Sequence, residues 1–162
     1  MNNKITMLPV EIITFQEFSE LVCELLDIDM PEFVIKDVWH SQVYAWAHSA
    51  TNQVVINKKL LSSNKLFIAK TLVHELRHMW QFANVLDQVK GNDNSSIQIR
   101  EDDAYQFEND FVMKIIKAYD GTYDKDVLSK EIPNYCLNKQ GELERRTRED
   151  VELANKLFKL QI

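Results

Sequence analysis

KLFIAKTLVHELRHMWQF, residues 65 to 82, carries the strongest helical pattern in this chain. Its apolar residues recur at intervals of three and four, and neither Gly nor Pro interrupts them, which predicts one long amphipathic helix. Residues 62 to 64 (Ser-Ser-Asn) precede this segment and are of the types that cap helix N-termini. Two histidines, His74 and His78, lie four residues apart within the predicted helix and therefore share one of its faces.

From His74 to His78 the sequence has the form H-E-x-x-H, in which Glu75 follows the first histidine. Both imidazoles can then reach a single zinc ion, while the glutamate can take a proton from a water molecule on that ion. The alternative is that His74 and His78 are ordinary surface or core residues, because three fixed positions recur by chance in roughly one of a few hundred chains. The helical setting favours a zinc-dependent hydrolase with Glu75 as general base.

Composition limits the classes of protein that remain. The chain has 162 residues, which predicts one domain, and its 45% hydrophobic and 27% charged residues are typical of a soluble globular protein. Only three Gly and three Pro are present, so few tight turns and a high helix content are expected. A net charge of −6 argues against a nucleic-acid partner, which would need a basic face.

The cysteines and the N-terminus bear on the cellular compartment. Cys23 and Cys136 are far apart in sequence, and we expect both to be reduced thiols. The N-terminal residues include Lys4 and Glu11 and form no continuous apolar stretch of the signal-peptide type. No segment has the length of a membrane span. The sequence predicts a cytoplasmic protein without a membrane partner.

The segment before the motif predicts one helix and a small sheet. The helix is expected from Thr14 to Leu26, with Thr14 as N-cap and Glu17 as its capping-box partner. Residues 49 to 52 are expected to form a hairpin connection in a small, mainly antiparallel sheet. Three apolar segments predict its strands: Phe33 to Ile35, Gln42 to His48 and Gln53 to Asn57.

After the motif helix, Val89 to Ser96 reads as a polar loop. A second strong helix is predicted from about Arg100 to Ala118 and a last one from about Glu142 to Leu160, with residues 122 to 141 irregular or in short elements. The predicted fold class is α+β, in which the small sheet packs on these helices.

A hydrolytic zinc site usually has three protein ligands, so the two histidines need a third. The best source is the acidic cluster Glu101-Asp102-Asp103, which is expected to begin the next helix. Glu101 and Asp103 are rival ligands, because predicted helix boundaries are uncertain by a few residues. Glu149 and Glu152 on the last helix are weaker candidates. Alternatively, the three acids only complement the dipole at a helix N-terminus.

The motif, followed by Glu101-x-x-Ala104-x-x-Phe107, resembles the zincin metallopeptidases of the glutamate-ligand type. The resemblance is greatest to small intracellular members from bacteria and phages, and it covers roughly residues 40 to 112. It implies a minimal zincin-like fold and Zn²⁺ bound by His74, His78 and Glu101. It also implies that Gln53 to Asn57 is an edge strand bordering the cleft, to which a peptide substrate would add as a further strand.

One position departs from the family. Tyr105 stands four residues after Glu101, where an Asn or Asp commonly orients a ligand histidine through its far ring nitrogen. A group that stabilises the developing oxyanion is also expected, and its candidates are His48, Tyr105, Tyr123 and Tyr135.

The resemblance implies a zinc metallopeptidase that hydrolyses peptide bonds in a protein substrate, such as a regulator in a phage or mobile element. A second hypothesis is a catalytically silent zincin-fold protein that binds zinc and serves as a regulatory or interaction module. Retention of Glu75 argues against it, because such a module would not need that carboxylate. A third is a helix-rich adaptor in which the motif is accidental.

Overall fold

A computed structural model of the chain describes residues 14–38, 40–84 and 94–136. These residues form four helices and a three-stranded sheet, which confirms the predicted α+β class. The predicted helix from Glu142 to Leu160, with Glu149 and Glu152, lies outside the described residues. The elements are α1 (Phe15–Leu26), β1 (Glu32–Lys36), β2 (Ala45–His48), β3 (Gln53–Asn57), α2 (Lys65–Asn84), α3 (Asn94–Asp120) and α4 (residues 125–136).

The sheet has the strand order β1-β3-β2. β2 and β3 are antiparallel and are joined through a short 3-10 turn at Ser49–Thr51, which confirms the predicted hairpin. β1, in contrast, runs parallel to β3. The prediction of a mainly antiparallel sheet was therefore wrong, because neighbouring apolar strands do not reveal from their pattern which pairing they adopt.

This order also overturns the predicted edge strand. β3 lies in the centre of the sheet, with β1 on one side and β2 on the other. Its residues Val54 to Asn57 are buried, as expected for a central strand. Among the strands that the structure describes, β2 is the edge next to the motif helix α2, against which it packs.

Helix α2 begins where the sequence predicted. Asn64 precedes it, and the Asn64 side-chain oxygen accepts a hydrogen bond from the Phe67 N–H at 2.8 Å. The capping box predicted for α1 does not form: the Thr14 side chain makes no cap hydrogen bond. The Tyr119 hydroxyl of α3 lies 3.3 Å from Thr14 Oγ1 and donates to Glu17 at 2.7 Å, so both polar groups contact α3.

Helix α3 begins at Asn94, about two turns before Glu101. The predicted start near Arg100 was wrong, and residues 94 to 96 of the predicted loop are helical. Glu101 and Asp103 therefore lie within the helix and do not decorate its first turn. The helical repeat sets the direction of each side chain, so Glu101 and Asp103 lie on different faces of α3.

The helices pack around one apolar cluster. α2 contacts both α1 and α3, and side chains of α4 such as Leu128 and Ile132 complete the cluster. Cys23 and Cys136 are both buried free thiols. No helix among the described residues is long and apolar enough to cross a membrane.

Candidate metal centre

The two motif histidines converge on one point beside α2. His74 and His78 lie one helical turn apart, and their Nε2 atoms are 3.2 Å from each other. Their rings meet nearly at right angles, with centroids 4.7 Å apart. Both residues are only 7% exposed, so the imidazoles face a partly enclosed site and not open solvent.

Helix α3 brings a carboxylate to the same point. Glu101 Oε1 lies 3.1 Å from His74 Nε2, and Glu101 Oε2 lies 2.9 Å from His78 Nε2. A tetrahedral zinc ion with bonds of 2.0–2.1 Å places its donor atoms about 3.3 Å apart. The three side chains therefore fit a zinc ion in spacing and in donor chemistry, and they form a group within the described part of the chain that could hold a metal.

Asp103, the rival ligand, is engaged elsewhere. It is 1% exposed and forms a two-point ion pair with Arg77, in which Arg77 Nε donates to Oδ2 at 2.7 Å and Nη2 donates to Oδ1 at 3.1 Å. Arg77 is itself fully buried and stacks on the Trp80 ring, with 3.7 Å between its guanidinium carbon and the ring centroid. Arg77 therefore belongs to the core between α2 and α3, where Asp103 is its ion-pair partner.

Both histidines have an acceptor at the far ring nitrogen. The Gln81 side-chain oxygen lies 2.9 Å from His78 Nδ1, and Glu108 Oε1 lies 3.3 Å from His74 Nδ1, off the direction of a well-aligned hydrogen bond. Such partners hold an imidazole with its other nitrogen free for a metal. Tyr105 does not take this role; its ring packs on His74 at 4.5 Å between centroids.

Sequence reasoning missed Gln81 and Glu108, although helical spacing could have found both. Gln81 follows His78 by three residues, and Glu108 follows Glu101 by seven, which is two helical turns. Each therefore lies on the same helix face as a candidate ligand. Both were left out because support for a ligand histidine was expected only at position 105, four residues after Glu101.

Electrostatics within the cluster favour a cation. Burial lowers the pKa of His74, but the contacts with the Glu101 and Glu108 carboxylates and the charge of Glu75 outweigh it and raise that pKa to about 9. Hydrogen bonds from His74 and His78 hold the pKa of Glu101 well below its usual range. The carboxylates of the site therefore attract positive charge. A metal ion can supply that charge in place of the protons on the imidazoles.

Glu75 lies beside the three donors without belonging to them. It is 8% exposed, and a hydrogen bond links its carboxylate to the backbone of Ala47 in β2. Burial raises the pKa of Glu75 to about 7, against the lowering effect of the two histidines. A carboxyl group with this pKa can both accept and return a proton near neutral pH.

A cleft of about 830 Å³ opens over this group of residues. One wall is formed by residues 42–47, which include β2, and the opposite wall by α2 and α3. Of the four candidates for oxyanion stabilisation, Tyr105 lines the cleft. The other three have partners elsewhere: His48 contacts Thr51, Tyr123 donates to Glu131, and Tyr135 packs with Phe107 and Phe111.

The outer edge of β2 faces this cleft. The Asn57 N–H donates to the Tyr44 C=O at 2.9 Å. Because backbone groups alternate along an antiparallel ladder, those of residues 46 and 48 point toward β3, and those of Ala45 and Ala47 point away from it. The contact between Ala47 and Glu75 agrees with this direction. The N–H and C=O groups of Ala45 are thereby presented toward the cleft.

Comparisons of the chain with known protein families, with curated proteins and with solved structures found no match.

Proposed function

We propose that this protein is a zinc-dependent metallopeptidase whose metal ligands are His74, His78 and Glu101. The observation that carries the proposal is the convergence of two imidazole nitrogens and a carboxylate within 3.2 Å of one another, with the separate carboxylate of Glu75 beside them. Two histidines and one glutamate are a ligand set of hydrolytic zinc sites. The order of strand, motif helix and ligand helix supports a zincin-like arrangement.

In this proposal the residues of the chain divide the chemistry between them. Bound zinc supplies Lewis acidity, which acidifies water and polarises a carbonyl group. Glu75 accepts a proton from the attacking water as its oxygen bonds to the scissile carbonyl carbon. When the C–N bond breaks, Glu75 returns that proton to the leaving amine. Tyr105, exposed at the rim of the cleft, is the candidate donor to the developing oxyanion.

The substrate is proposed to be a peptide segment in extended form. Ala45 presents backbone groups toward the cleft, and an extended peptide can pair with such an edge by strand addition. The corrected edge is β2 and not β3, so the pairing involves the backbone groups of Ala45, which point away from β3. A protein substrate would need a mobile or unfolded segment to enter here.

The test measures metal content and hydrolysis in the same preparation. We expect about one zinc per chain by elemental mass spectrometry after purification without chelator or nickel, and loss of that zinc in His78→Ala. His40→Ala is the matched control, because His40 is exposed and lies outside the cluster. A mixture of unstructured peptides should be cleaved by the wild-type protein. Zinc without cleavage would favour the silent binding module, and no zinc in either protein would contradict the proposal.

A further inference from the structure

Gln81 connects the candidate metal centre to a buried ion pair. Its side chain is fully buried, and Oε1 lies 2.9 Å from His78 Nδ1. On the other side of the same amide, Nε2 donates to the Arg100 C=O at 2.9 Å and to Asp103 Oδ2 at 2.7 Å. One amide group thus contacts a candidate ligand, the backbone of α3 and the partner of Arg77.

These contacts fix which way the amide points. Both Asp103 oxygens already accept hydrogen bonds from Arg77, and carboxylate oxygens act as acceptors. The Arg100 carbonyl can only accept as well. If the Gln81 amide were reversed, its oxygen would face two acceptors in the protein interior, which is strongly unfavourable. The oxygen of Gln81 must therefore face His78.

The orientation of Gln81 in turn determines which tautomer a neutral His78 adopts. An amide oxygen at Nδ1 requires a hydrogen on that nitrogen, so Nε2 is the nitrogen whose lone pair becomes available when the imidazole is neutral. That nitrogen is the one that lies 2.9 Å from Glu101 and 3.2 Å from His74. His78 is thus presented with the correct nitrogen ready to bind a metal.

We propose that Gln81 is a positioning residue for the metal centre, and that the buried Arg77–Asp103 pair acts through it to select the tautomer of His78. This inference rests on the proposed zinc site. A buried ion pair contributes little net stability compared with apolar residues of the same size, because both charges must be desolvated. Because the Arg77–Asp103 pair orients Gln81, it also acts on the metal centre, which neither charged residue touches.

The first test compares Gln81→Leu with the wild-type protein for zinc affinity, measured by competition with a chromophoric chelator. Loss of a partner behind a ligand histidine is expected to weaken binding about 10- to 100-fold. Val112→Ala is the matched control, because Val112 is a buried residue of α3 whose truncation reduces packing without touching the network. In the zinc-loaded wild type, imidazole ¹⁵N–¹H spectra should show a His78 Nδ1–H protected from exchange, and the protection should be lost in Gln81→Leu.

The second test is a double-mutant cycle with Asp103→Asn. This change should weaken zinc binding in the wild-type background and have little further effect in Gln81→Leu, because both substitutions interrupt one path. An equal loss in both backgrounds would indicate that Asp103 acts without Gln81 and would overturn the inference. So would a Gln81→Leu affinity no weaker than that of Val112→Ala. Wild-type protein that binds no zinc would instead remove the proposed function, and the inference with it.

Discussion

Glu75 and Glu101 are both carboxylates near two histidines, yet their surroundings give them different chemistry. Glu101 is partly exposed and bonded to both imidazoles, which keeps its pKa low and suits a metal ligand. Glu75 is almost fully buried, and burial raises its pKa to about 7. In the proposed site this contrast in environment would separate a ligand from a general base, as is common where two acids share one site.

Replacement of Glu75 by Gln should therefore abolish hydrolysis and preserve zinc binding. Gln has the same shape but cannot accept the proton of the attacking water, and a general base typically contributes a factor of about 10² to 10⁴ in rate. Metal content and peptide cleavage are to be measured side by side, with Glu101→Gln as the comparison that should lose zinc. Full activity of the Glu75→Gln variant would exclude Glu75 as the base.

Zinc binding should release protons at neutral pH. In the metal-free protein His74 has its pKa raised to about 9, so below that pH its imidazole is charged, and it must lose a proton to bind a metal. Zinc affinity should accordingly fall as the pH is lowered from 9 toward 7. Calorimetric titration in two buffers of different ionisation enthalpy counts the protons, and we expect about one from His74. Binding without proton release would show that the His74 imidazole is already neutral in the metal-free protein and would contradict its raised pKa.

At the scale of elements, α2 and α3 carry all the residues of the candidate centre except the backbone of β2. Helix α2 supplies His74, Glu75 and His78 because its side chains repeat every turn. Helix α3 supplies Glu101 and Asp103, two residues apart, and the helical repeat directs the first to the cleft and the second to Arg77. The choice between these acids thus depended on the rotation of α3 and not on their chemistry.

The N-terminus of α2 is held by a single side-chain cap. Asn64 accepts from the Phe67 N–H, and Asn64→Ala should lower the free energy of unfolding by about 1 kcal/mol, the usual effect of losing a cap. Ser62→Ala is the control, since Ser62 is exposed and precedes the helix. Urea unfolding followed by circular dichroism measures both. Equal stability of the two variants would mean that the cap contributes nothing.

For the whole molecule, the metal would join two helices that belong to one core. A zinc concentration of about 100 times Kd stabilises the folded state by about 2.7 kcal/mol, and for a chain of this size each kcal/mol shifts Tm by about 2–4 °C. Treatment with a chelator should therefore lower Tm by roughly 5–10 °C. His74→Ala should have the lower Tm at the outset and should not respond to the chelator. A chelator effect of equal size in that variant would assign it to another site.

The sequence alone determined the features that depend on local spacing. The helical repeat around His74 and His78, the apolar segment of β3 and a cap among residues 62 to 64 each follow from interactions over a few residues. The structure has helix α2 and strand β3 where they were expected, and Asn64 of the three candidates provides the cap. That His74 and His78 share a face was predictable for the same reason, because a helix fixes which of its own side chains lie together.

Tertiary structure alone decided which distant groups meet. The parallel pairing of β1 with β3, the placement of β2 at the cleft, and the positions of Glu101, Asp103 and Gln81 all depend on how separate elements pack. Local sequence patterns contain no information on the rotation of α3 against α2, which results from the fit of many buried side chains at once. For that reason the sequence left two acids as rival ligands, and the packing of the helices brought one to the histidines and the other to Arg77.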